Sequence, residues 1–127
     1  MKKLLVILTV CGLTGCGTIK ELMPSFWDDN QAAAITNLQQ ATRHLDCKLP
    51  LATQIQLISD RVEWIDIYSK FKKTNDVVKL TVTFDITLKE FVDRLATGPV
   101  SPMYCDLKKK LFVQQADMIA AAIMGRF

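Results

Sequence analysis

Leu51, Ile55, Ile58, Val62 and Ile65 recur at alternating intervals of four and three residues. That repeat lines one face of an α-helix, whereas a strand would present every second residue. Pro50 stands just ahead, where a first helical turn accepts it. Leu57, Trp64, Ile67, Tyr68 and Phe71 form a second apolar strip on the same helix. A helix apolar over so wide an arc touches more than one neighbour, so the chain has to fold as packed helices. Lys70, Lys72 and Lys73 close this helix. Positive charge suits the C-terminal end of the macrodipole, and the three read as a solvated end.

The rest of the chain divides around this helix. Asp28-Asp29-Asn30 offers capping oxygens and favourable charge for a helix start. Ala34, Ile35, Leu38, Ala41, Thr42 and Leu45 then carry a helix that ends near Cys47. From Val78 to Leu88 two patterns compete. Val78, Leu80, Val82, Phe84, Ile86 and Leu88 alternate with polar residues as a strand would, while Leu80, Phe84, Leu88, Phe91 and Leu95 keep helical spacing. A lone strand would leave its backbone unpaired and no other segment offers a partner, so a helix is expected over 76–97, the alternative being a lone strand that pairs with another chain. Gly98-Pro99 ends it. Ser101-Pro102 is a strong start signal for a last helix, with Tyr104, Leu107, Leu111, Gln114, Met118 and Ala121 as its expected seam and Phe112, Ile119 and Ile123 beside it. Lys108, Lys109 and Lys110 are consecutive and read as a solvated flank, and Gly125 falls near the C-terminal cap. With 127 residues, half of them apolar, one small domain is expected. The reading is all-α: an antiparallel four-helix bundle over 28–127.

The first residues carry a different message. Met1-Lys2-Lys3 is positive, Leu4 to Val10 is apolar, and Leu13-Thr14-Gly15-Cys16 follows. Charge, apolar run and small residue lead to Cys16 in a pattern that closely resembles the signal peptide and lipobox of bacterial lipoproteins. The resemblance implies cleavage before Cys16, a signal peptide over 1–15, and acyl chains on Cys16 that hold the mature chain to a membrane. Residues 16–27 then read as a short tether, with Phe26 and Trp27 expected to pack onto the domain. Gly17 rather than Asp follows Cys16, which in such lipoproteins implies handling by the lipoprotein sorting machinery and delivery to the outer membrane, on its periplasmic face.

Processing changes the charge and cysteine arithmetic. The whole chain has a formal charge of +3, already weak for a nucleic-acid binder. Loss of Lys2 and Lys3 from its 16 basic residues leaves a nearly neutral chain, because the 13 acidic residues all remain; no nucleic-acid partner is expected. Of the 4 cysteines, Cys11 leaves with the signal and Cys16 takes lipid. Cys47 and Cys105 remain in an oxidising compartment, where a disulfide forms and persists. Two buried thiols, or a metal site with His44 and a carboxylate, are the alternatives. In an up-down-up-down bundle the end of the first helix and the start of the fourth share a pole, which suits a Cys47–Cys105 bridge.

No motif for catalysis is present: no nucleophile elbow, no zinc-protease helix and no phosphate loop. One His, His44, is poor material for nucleophilic catalysis, and Asp60, Glu63 and Asp66 are spaced as a solvent-facing stripe. The chain is read as a non-enzyme, without a cofactor beyond the covalent lipid.

The combination of lipobox, tether, four helices and two cysteines resembles the type II secretion pilotins of the PulS/OutS kind. The residues that carry the likeness are Ala41-Thr42-Arg43-His44-Leu45-Asp46-Cys47 with Leu49-Pro50, then Phe91 to Leu95, then Tyr104-Cys105-Asp106-Leu107. The resemblance implies an escort that binds the disordered C-terminal segment of a secretin subunit as a helix in an apolar groove, with the lipid routing the pair to the outer membrane for assembly. The surplus apolar strip nominates Trp64, Tyr68, Phe71, Phe84 and Phe91 for that groove. The alternative is a phage- or plasmid-encoded exclusion lipoprotein, or a structural lipoprotein of another envelope apparatus.

Overall fold

The computed structural model describes residues 28–125. Cys16, the signal segment and the tether with Phe26 and Trp27 lie outside the described residues. Within them the chain forms four helices and no strand: α1 (Asp29–His44), α2 (Leu51–Phe71), α3 (Asn75–Ala96) and α4 (Pro102–Met124). Each helix packs against two others, in the ring α1–α2–α3–α4, and neither diagonal pair comes into close backbone contact.

The start and stop signals act as their chemistry requires. Asp28 caps α1, its Oδ1 accepting from the backbone N–H of Asn30 and of Gln31 at 3.0 Å each. Ser101 caps α4 by accepting from the Tyr104 N–H, with Pro102 in the first turn. The α2 end turns through Lys73 at φ 58°. The Thr74 N–H then reaches back to the Ser69 carbonyl at 2.9 Å, a turn that glycine usually makes.

The α2 seam is buried as its spacing predicts: Ile55, Ile58, Val62 and Ile65 face the core and Leu51 packs at its edge. The ambiguous stretch is helical. Val77, Phe84, Leu88 and Phe91 are buried, while Val82 and Ile86 point out. Thr81 and Thr87 are buried too: the Thr87 hydroxyl donates to the Thr83 carbonyl, and the one hydroxyl proton of Thr81 has the Val78 carbonyl and an Asp66 carboxylate oxygen of α2 as its two acceptors. β-branched residues with satisfied hydroxyls are therefore tolerated inside this helix. Phe84 and Phe91 pack against Phe112 of α4, with ring centroids 5.3 and 5.8 Å apart.

The α4 expectation needs correcting. The buried face is Cys105, Lys108, Phe112, Ala116, Ile119, Ala120 and Ile123, whereas Leu107 and Met118 are exposed. The disulfide sets this phase. Cys47 and Cys105 are bonded, with Cα atoms 5.9 Å apart. Cys105 must face inward to reach Cys47, and helical spacing then turns Lys108 and Phe112 inward with it. Lys108 is accordingly not part of a solvated flank. Its stem lies in the core face and its ammonium reaches Glu90 at 2.8 Å, beside the Tyr104 ring.

Two polar clusters tie the helices. Gln31, fully buried in α1, donates through Nε2 to Ser69 Oγ at 3.0 Å and to Thr74 Oγ1 at 2.9 Å. At the other end of α1, Gln54 bridges the α1–α2 connection. Its Oε1 accepts from the Asp46 N–H at 2.7 Å and its Nε2 donates to the Asp46 carbonyl at 3.0 Å.

Two outcomes follow. Replacing both Cys47 and Cys105 by Ser opens a loop that spans a sequence separation of 58. Loop-closure entropy sets the loss at about 4 kcal/mol, to be read as a lower urea midpoint matched by wild type under reductant. Gln31→Leu leaves the Ser69 and Thr74 hydroxyls without their buried donor and destabilises by about 1–3 kcal/mol, measured by the same denaturation.

Candidate functional site

The five groove candidates do not lie together. Phe84 and Phe91 are fully buried between α3 and α4 and line no surface. Their rings fill the space that the ring of four helices encloses, so sequence spacing alone could not tell them from a surface strip. Trp64, Tyr68 and Phe71 do share one face, the outer side of α2. Trp64 and Tyr68 stack with ring centroids 4.8 Å apart, Trp64 remains 45% exposed and Phe71 80%. Leu57 and Ile67, from the same strip, are exposed as well.

This strip borders a furrow along the outer seam of α1 and α2. Ala33, Ala34 and Asn37 form one bank and Arg61 and Trp64 the other, around a depression of about 400 Å³. A second depression of about 290 Å³ continues past Asn37 and Arg61 to Ala41, His44 and Leu57. The alanines make the furrow: Ala33 and Ala34, and Ala41 two turns on, leave space on α1 where larger side chains would meet α2. Sequence periodicity counts Ala34 and Ala41 simply as apolar and gives no sign of the gap beside them.

At one end of the furrow the electrostatics are fixed by Asp28. Tyr68 donates its hydroxyl to Asp28 Oδ2 at 3.3 Å and accepts from Asn30 Nδ2 at 3.2 Å. The Lys72 ammonium lies 3.1 Å from the same carboxylate. Burial opposes the charge on Asp28, but the Gln31 backbone N–H, Lys72 and Tyr68 outweigh it and hold the carboxyl below its ordinary range. Asp28 in turn raises the Lys72 ammonium. These bonds orient Tyr68 and, through the stack, Trp64. On the α2–α3 side, burial and the nearby Asp66 and Glu63 push Asp85 up against the opposing pull of Lys70.

His44 is exposed at the end of α1. Among the described residues no group of three or more His, Cys, Asp or Glu is placed to hold a metal ion. No helix among them is long and apolar enough to cross a membrane. Asp66 departs from the expected solvent-facing stripe: it pairs with Lys70 and accepts from the Thr81 hydroxyl at 3.0 Å, tying α2 to α3. What the site offers is apolar contact area with a polar margin, as a macromolecular ligand would use. No protein-family profile matches the chain, and no curated protein or solved structure matches it significantly.

The Asp28 cluster has a pH signature. A carboxyl held below its ordinary pKa in the folded state stabilises the fold above its unfolded pKa, and that contribution disappears as pH falls through the folded value. Wild type is therefore more stable than Asp28→Asn at pH 7. The gap narrows as acid takes the pH below about 4, as checked by urea denaturation of both proteins across that range.

Proposed function

We propose that this chain is an outer-membrane escort lipoprotein of the pilotin kind, with its export signal over 1–15 and its lipid on Cys16. It would bind the C-terminal segment of a secretin subunit and carry that subunit to the outer membrane, where the multimer assembles. The observation that carries this reading is the strip formed by exposed Trp64 and Phe71 with half-buried Tyr68 between them, of which Trp64 lines the α1–α2 furrow. An exposed apolar face of this kind, flanked by polar side chains, is what an amphipathic helix needs in order to dock. α1 has 16 residues, so its outer seam runs for roughly 24 Å, room for four or five turns of a bound helix.

The finer architecture is part of the same reading. We take the bundle as antiparallel, with α1 and α3 running one way and α2 and α4 the other. The contacts that support it join the start of α1 to the end of α2, through Asp28 and Lys72, and the end of α1 to the start of α4, through Cys47 and Cys105. In that arrangement the tether enters at the Asp28 pole, and the furrow runs from it toward the disulfide pole. A docked segment would then lie along the bundle and not across its end. The binding energy would be concentrated in the aromatic anchors, as is general at such interfaces.

Titration of the mature chain with a synthetic peptide covering the secretin C-terminal segment is expected to give saturable heat in calorimetry. Trp64→Ala is expected to weaken binding at least about tenfold, equivalent to about 1.4 kcal/mol, with the circular dichroism spectrum unchanged. Absence of binding at high micromolar peptide would sink the reading.

A further inference from the structure

The outer face of α4 carries a second apolar stripe, separate from the α2 strip. Met103, Leu107 and Met118 are each more than half exposed, Met124 is exposed, Ala121 lies between them and Leu111 is half-buried at the margin. These positions follow the three- and four-residue spacing of one helix face, the one opposite the face that Cys105 and Phe112 bury. No described helix covers it. Lys110 and Asp117 flank the stripe on the side toward α1, two turns apart, with Gln114 midway between the two stretches of apolar residues.

We infer that this face pairs with the same face of a second copy, the two α4 helices running antiparallel about a two-fold axis at Gln114. The pattern is self-complementary, as such an interface requires. Leu107 then lies opposite the partner's Ala121, Leu111 beside the partner's Met118, and Met103 beside the partner's Met124. In an antiparallel pair, flanks of the same side meet. The axis therefore brings Lys110 to the partner's Asp117 and, by symmetry, Asp117 to the partner's Lys110. Asp117 is prepared for that role. Arg43 and Gln39 hold its Oδ1 at 2.7 Å each, yet its side chain stays 44% exposed. Lys110 is exposed. This charge match, on the one side where both copies present it, selects a second copy over an unrelated helix. In a parallel pair the same flanks of the two copies fall on opposite edges of the seam, so Lys110 and the partner's Asp117 do not meet. One helix pair is a small interface, so the dimer is weak, with Kd on the order of 100 µM.

The test uses the mature chain with Cys16→Ser, which removes a competing thiol. Its weight-average mass by sedimentation equilibrium should rise toward that of a dimer with concentration. Leu107→Asp should raise Kd at least about tenfold with its circular dichroism spectrum retained. The register has its own readout. Gln114→Cys should form an intermolecular disulfide under mild oxidation at least about tenfold faster than Ala121→Cys, because only position 114 faces its own copy within bridging distance. A mass that stays monomeric across the range overturns the proposal. So does a dimer in which both cysteine variants cross-link at the same rate, or one that Leu107→Asp leaves intact. None of these outcomes bears on peptide binding at the α2 strip.

Discussion

Much of this fold depends on the bond between Cys47 and Cys105. It joins the segment after α1 to the first turn of α4, and so closes the ring of four helices where the chain itself makes no connection. It also fixes a rotation. Once the Cys105 side chain points to Cys47, every buried residue of α4 down to Ile123 follows by helical spacing. Phe112 then falls between Phe84 and Phe91, and the aromatic centre of the core forms. The same rotation leaves Met103, Leu107 and Met118 outside.

The opposite pole is closed by polar groups. Asp28 caps α1 and holds Lys72 and Tyr68, while Gln31 reaches the Ser69 and Thr74 hydroxyls across the α1–α2 seam. Buried polar groups of this kind add modest net energy but penalise any other register, because each alternative leaves a donor or acceptor unsatisfied. The two poles thus work by different means. A covalent bond restrains the unfolded chain at one end, and directional hydrogen bonds select the packed arrangement at the other. Between them the four helices have enough apolar surface to fill the centre and to leave strips outside on α2 and α4.

Those outer strips explain where the sequence was readable and where it was not. The α2 seam stood out because Ile55, Ile58, Val62 and Ile65 are large, apolar and regularly spaced, and all four are buried. The third helix was legible through Phe84, Leu88 and Phe91 despite the alternation of Val and Thr around them. For α4 the apolar spacing points to the wrong face. Its apolar residues surround most of the helix, and the true core stripe includes Lys108 and Ala116, which periodicity scores poorly. Two of the five groove candidates, Phe84 and Phe91, are buried, which spacing does not reveal: an exposed aromatic strip and a buried one have the same spacing. Trp64, Tyr68 and Phe71 share a surface; Phe84 and Phe91 do not.

The amino-acid sequence by itself determined that the described chain is helical, and it placed the four helices. Local chemistry is enough for that: capping oxygens at Asp28 and Ser101, proline at helix starts, and apolar spacing near 3.6 residues per turn. Only the tertiary structure decided which apolar faces are core and which are surface. That choice depends on helix rotation, and rotation is set by contacts between residues far apart in the chain: the Cys47–Cys105 bond, the Gln31 hydrogen bonds and the fit of Phe112 against α3. The furrow between α1 and α2 is of the same origin. It exists because Ala33 and Ala34 face Trp64 across a seam, a relation between two helices that neither segment carries alone.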